Sequence, residues 1–237
     1  MPKLATPTWF YVLEAAKEFN GKQFTQNDIV DKIKANAPRV KKNTIICNLY
    51  GITPHHPSCK TFPSLLKNHA AFSFLGKGKF KMLEKEEQFK LIIMEVNKIL
   101  RVNLNNVDKL KAICKLLKNR VSYYNWVCFY SVDKVRVDEL MLISFDGEPT
   151  EHVRIPFGKG ICGQAAFLKR TFIVQDVSKE ANYLSCGSKV KSEIVIPIFR
   201  NELFVGELDI DSHFASPFNS YDEKCLAVIA KIASELL

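Results

Sequence analysis

Two cysteines and three carboxylates in the later two-thirds of this 237-residue chain have the types and spacing that thiol redox chemistry requires. Cys162 lies in the glycine-rich turn GKGICG, where backbone N–H groups and a helix start can lower a thiol pKa. Cys186 lies in the loop NYLSCGSK, with Lys189 and Lys191 close by to favour its thiolate. The sequence separation of 24 residues between the two cysteines allows a disulfide if the fold brings their Cα atoms within about 7 Å. Glu193, Asp209 and Asp211 sit in or beside apolar strand-like segments, where a role in solvating the surface explains them poorly. Clustered acids share protons: one gains a raised pKa suited to proton donation, and the ionised members can pair with a ligand ammonium. Trp126 and Tyr130 can supply an apolar, polarisable wall for a sulfur-bearing group. A plainer reading makes Asp209 and Asp211 a turn-capping pair at a strand end.

These residues need elements to hold them. From Val121 the pattern is strand-like, with strands expected at 126–130, 139–145, 151–155, 171–175, 194–199 and 203–209. Helices are expected at 160–168 and 221–237. Asp209 and Asp211, two apart on one strand, face the same side. Strands bracketed by helices indicate an α+β domain with a mostly antiparallel sheet. Upstream, 84–101 and about 107–120 carry apolar stripes at helical spacing, which read either as ordinary core or as a dimer helix relaying a signal between domains.

Four segments together, NWVCFY (125–130), RIPFGKGICGQAA (154–166), SCGSKVKSEIVIPIF (185–199) and GELDIDS (206–212), resemble the free methionine-(R)-sulfoxide reductases, a family of GAF domains. The resemblance spans about residues 89–237. It implies thiol-dependent reduction of the free amino acid's sulfoxide, regeneration by thioredoxin or a similar dithiol, and no directly bound metal, flavin or nicotinamide. It assigns Cys162 and Cys186 to the redox set, Glu193, Asp209 and Asp211 to the acidic ligands, and Trp126 and Tyr130 to the aromatic side of the pocket. Either cysteine can be the nucleophile on this reading. Three positions depart from the family pattern: His152 replaces a further cysteine, Gly187 replaces the acid after the loop cysteine, and Cys128 replaces the glycine of NWVGFY.

The first third differs in character. Residues 1–85 hold 14 basic and 5 acidic side chains, so the chain's whole formal excess of +9 sits there. Such asymmetry suits a polyanion partner. Three helices are expected: one carrying Trp9, Val12, Leu13, Ala16 and Phe19, one capped by Thr25, and one from about Asn43 to Gly51. The segment AFSFLGKGKFKML (71–83) reads as a hairpin. This order resembles a winged helix-turn-helix, covering about residues 5–83. It places Arg39, Lys41, Lys42 and Asn43 at a DNA-reading helix and Lys77 and Lys79 on the wing. Winged helices also bind proteins. The expected organisation is therefore a winged-helix-like domain at 1–83, a connecting helix at 84–106 and a GAF domain at 107–237.

No apolar run approaches the roughly 20 residues of a membrane span, and Glu14, Lys17 and Glu18 argue against a secretory leader. Seven cysteines, odd in number and mostly in apolar segments, point to a reducing, cytoplasmic setting. Cys47, Cys114, Cys128 and Cys225 read as buried hydrophobes. His55, His56, Cys59 and Cys47 match no usual zinc spacing, so no metal is expected. The leading function is the sulfoxide reductase. The alternative is a non-enzymatic redox or small-molecule sensor that regulates transcription through the basic domain.

Overall fold

The computed structural model describes residues 7–54, 56–58, 61, 71–184 and 187–237. The chain divides into two compact units, Met1–Gln88 and Phe89–Leu237.

In the N-terminal unit, α1 (Thr8–Lys17), β1 (Phe24–Thr25), α2 (Gln26–Asn36) and α3 (Lys42–Gly51) precede the hairpin β2 (Phe72–Gly76) and β3 (Lys79–Met82). Thr25 ends β1 and caps α2: its hydroxyl accepts from the Asp28 amide while the Asp28 carboxylate accepts from the Thr25 amide. β1 pairs with β3, giving an antiparallel sheet in the order β1-β3-β2. The turn Gly76-Lys77-Gly78 has φ of 81°, 50° and 69°, a left-handed run that two glycines make affordable. Val12, Ala16, Ile29, Ile33, Ile45, Leu49, Phe72 and Phe80 form the core. His56 stacks on Tyr50 at 4.0 Å, whereas His55 and Cys59 lie outside the described residues.

The C-terminal unit takes up α4 (Lys85–Leu100) from Phe89 onward, then α5 (Asn106–Arg120), β4 (Trp126–Val132), β5 (Glu139–Asp146), β6 (Arg154–Pro156), α6 (Gly160–Leu168), β7 (Phe172–Val174), β8 (Ser192–Arg200), β9 (Leu203–Ser212) and α7 (Ser220–Ala233). Six strands form one antiparallel sheet in the order β6-β5-β4-β9-β8-β7. This is an α+β arrangement, as expected. Most strand ends shift by one to three residues, and two of the differences bear on the site. The strand expected at 151–155 begins only at Arg154, because Val153 N–H turns back to the Glu151 carbonyl. β9 runs on through Ser212, so Asp211 is a strand residue and not a cap beyond the strand's end.

Alternation along three central strands sorts the side chains. Val127 and Phe129, Ile194, Ile196 and Ile198, and Leu208 and Ile210 face one core, which α4, α5 and α7 cover. Phe89, Ile92 and Val96 of the α4 stripe are buried in that core, the ordinary-core reading of the stripe. Trp126, Cys128 and Tyr130, with Val195, face a second core that α6 covers with Ile161, Cys162, Ala165 and Ala166. Among the described residues no helix is long and apolar enough to cross a membrane.

Candidate functional site

The second face of the sheet carries an acid column built by strand register. β9 presents Glu207, Asp209 and Asp211 at alternate positions. On one side β4 pairs Tyr130 with Glu207, Cys128 with Asp209 and Trp126 with Asp211. On the other, β8 pairs Glu193 with Asp211 and Val195 with Asp209. All four acids are at most 2% exposed.

Cys162 is brought onto this column by α6. It occupies the first turn of the helix, whose entry uses Gly158 and Gly160 at φ of 85° and 66°. The Cys162 thiol donates to Glu193 Oε1 at 3.5 Å and eases ionisation of both Glu207 and Asp209. Cys128 donates to Asp209 Oδ2 at 3.7 Å. The turn leaves no room for change: a Cβ on Gly163 would stand 2.4 Å from the Pro156 carbonyl oxygen. Gly163→Ala is therefore expected to destabilise the C-terminal unit by roughly 1–3 kcal/mol, read as a lower urea midpoint.

Burial is the main reason the acids hold their protons. Desolvation pushes Glu193, Glu207 and Asp211 well above the ordinary carboxylate range, and the neighbouring Asp209 adds to each. Asp209 rises to about 7, also by desolvation, with the Cys162 and Cys128 thiols holding it down. Both oxygens of Asp211 and Oδ1 of Asp209 meet no donor within hydrogen-bonding distance among the described residues. One sulfur from Cys162 and one oxygen each from Glu193 and Asp209 lie within 4.8 Å of one another, the one group among the described residues whose donor atoms lie close enough to hold a metal ion.

The aromatic residues border the same column. Trp126 stacks on Phe145 at 6.0 Å and donates from Nε1 to the Glu148 carbonyl at 2.9 Å. Tyr130 donates to the His152 carbonyl at 2.8 Å, so the residue at that departing position touches the site through its backbone. A cavity of about 250 Å³ opens at the Asp211 end, lined in part by Trp126, Asn125, Glu148, Lys189 and His213. Lys189 pairs with Glu148 at 2.6 Å on its rim.

Of the expected site residues, Cys162, Glu193, Asp209, Asp211, Trp126 and Tyr130 converge on this face. Cys186 lies outside the described residues. Two members were missed. Glu207 belongs to the period-two set of GELDIDS and shares the face of Asp209 and Asp211, so the alternation already pointed to it. Cys128, expected only as a buried hydrophobe, is buried and also bonds Asp209. In the N-terminal unit, Arg39, Lys41, Lys42 and Asn43 are exposed at the start of α3, and Lys77 and Lys79 are exposed at the β2–β3 turn.

Comparison with known proteins separates the two units. Residues 7–82 match a family described as a domain of unknown function, DUF7669. GAF domain-containing protein A of Dictyostelium discoideum is 36% identical over 148 residues, 62% of this chain and 91% of that protein. A free methionine-R-sulfoxide reductase of Saccharomyces cerevisiae is 36% identical over 134 residues, 56% of this chain and 73% of that protein. An X-ray structure of the free methionine-R-sulfoxide reductase of Neisseria meningitidis, in complex with its substrate, superposes with a TM-score of 0.61 at 33% identity, covering 66% of this chain and 92% of that one.

Proposed function

Because the chain belongs to the free methionine-R-sulfoxide reductase family, we propose that its C-terminal unit reduces free L-methionine-(R)-S-oxide to methionine. The observation that carries this reading is a buried thiol at a helix N-terminus seated on a column of four protonatable acids. One cysteine thiolate attacks the sulfoxide sulfur while a neutral carboxylic acid protonates the sulfoxide oxygen. That hydroxyl passes from the substrate sulfur to the cysteine sulfur as methionine leaves, so the attacking cysteine becomes a sulfenic acid. The second thiol attacks that sulfur, water departs, and a Cys162–Cys186 disulfide remains. An external dithiol of the thioredoxin type then restores both thiols.

The roles follow from position. Asp209, near neutral pKa and beside both Cys162 and Cys128, is the proton donor. Asp211 and Glu193, cross-strand partners next to Trp126, receive the substrate ammonium once it compensates their charge. Trp126 and Tyr130 pack the methylsulfinyl end. Purified protein with a dithiol is expected to consume free methionine sulfoxide with preference for the R epimer. Equal consumption of both epimers, or none, would contradict the assignment.

The N-terminal unit supports a second reading, that of a winged helix-turn-helix contacting DNA. What favours it is the order α1-β1-α2-α3-β2-β3, together with exposed Arg39, Lys41, Lys42 and Asn43 opening α3 and Lys77 and Lys79 at the hairpin turn. If four phosphates are contacted, the binding constant for a duplex falls about a hundredfold between 50 and 200 mM salt. Reversing charge at Lys41 and Lys42 is expected to flatten that slope. A salt-independent affinity would mean that the unit recognises something other than a polyanion.

A further inference from the structure

We propose that Cys162, Glu193 and Asp209 also form a binding site for a divalent cation of the zinc class, held by one thiolate sulfur and two carboxylate oxygens. A tetrahedral zinc ion with Zn–S of about 2.3 Å and Zn–O of about 2.0 Å sets its sulfur and oxygen ligands about 3.5 Å apart. The Cys162 sulfur and Glu193 Oε1 already stand at 3.5 Å. The Asp209 oxygen lies within 4.8 Å of both, so a small inward turn of one side chain completes three ligands.

A second observation points the same way. Oδ1 of Asp209 itself and both oxygens of its strand neighbour Asp211 are buried with no hydrogen-bond partner among the described residues. Buried carboxylate oxygens lacking donors are costly, and a cation satisfies several at once. The fourth position is then left to a water or to Glu207, which shares the face and lies beside Cys162. The donor set selects the metal: a thiolate disfavours calcium and magnesium, and two carboxylates disfavour copper(I). Binding displaces the thiol proton and the carboxyl protons, and it occupies the sulfur lone pair that would attack or resolve. On the reductase reading, zinc therefore holds the enzyme inactive until it is chelated.

The site is tested on the chelator-treated 237-residue chain titrated with Co²⁺ as a spectroscopic probe. One equivalent is expected, with a sulfur-to-cobalt charge-transfer band and the intense visible bands of four-coordinate cobalt, both bleached by Zn²⁺. Cys162→Ser should remove the charge-transfer band, and Asp209→Asn should weaken uptake at least about tenfold, since even outer-shell partners of a metal site carry that much. Cys47→Ser, in the other unit, should change neither. Uptake without the charge-transfer band, or a band that persists in Cys162→Ser, overturns the proposal. Neither readout depends on turnover, so failure of the reductase reading would be seen separately.

Discussion

Cys162→Ser protein is expected to fold normally and to lose at least about a hundredfold in steady-state reduction of free methionine sulfoxide with a thioredoxin-type reductant. Serine is close to isosteric, so the packing of α6 against the sheet and the Glu193 contact survive the change. What disappears is a sulfur that can attack another sulfur and close a disulfide. The helix N-terminus and the glycine turn place the sulfur, and neither can make a serine hydroxyl comparably reactive. A single-turnover experiment then assigns the roles of the two cysteines. If Cys162 attacks, the variant releases no methionine; if Cys162 resolves, it releases one equivalent and stalls as a sulfenic acid. An unchanged urea midpoint alongside the lost activity separates chemistry from structure. Full activity would remove Cys162 from the mechanism.

Asp209→Asn carries the second large effect, and its sign can be worked out. Burial lifts the Asp209 carboxyl from an ordinary 3.8 to about 7. Between those values the folded chain keeps a proton that the unfolded chain has lost. Each unit of rising pH in that window therefore costs about 1.4 kcal/mol of stability. Below about pH 4 both states are protonated, above about pH 7 both are ionised, and the contribution is flat in each region. In chelator-treated protein the amide variant should thus be more stable than the parent by roughly 2–4 kcal/mol at pH 8, with the gap closing toward pH 4. Its turnover should fall by about 10²–10⁴-fold, the usual worth of a positioned general acid. Parent turnover should itself decline as pH rises through about 7, because the neutral acid is the active form. Parallel stability profiles for parent and variant would show that Asp209 ionises freely. The buried acids thus trade stability for reactivity, an expected signature of a functional site.

Much of this site was legible in the sequence because it is built from local patterns. GKGICG reads as a glycine turn opening a helix, and the structure places Cys162 in the first turn of α6. GELDIDS reads as a period-two strand, and its alternation puts Asp209 and Asp211 on one face. The same rule also selects Glu207, two positions before Asp209 on the same face. Cys128 was harder to interpret. Its role depends on the β4–β9 register, which sets it opposite Asp209 some 80 residues later in the chain, and no local pattern encodes a cross-strand pairing. The short start of β6 rests on the Val153 N–H turning back to the Glu151 carbonyl, a backbone contact that the residue types of EHVRIP do not announce. Pro197 lies inside β8, which a strand reading resists. It is tolerated because β7 ends its pairing at Val195, leaving β8 as an edge there.

On the reductase reading, the sulfurs of residues 162 and 186 close on each other as methionine sulfoxide is reduced. Fully reduced protein, given one equivalent of free methionine-(R)-sulfoxide without reductant, should be alkylated, digested with trypsin and analysed by mass spectrometry. Lysines 159, 169, 179 and 189 put the two cysteines on separate peptides, so a bond between them is seen directly. One methionine released per chain and those two peptides joined are expected. Methionine release with both cysteines still alkylated would contradict it.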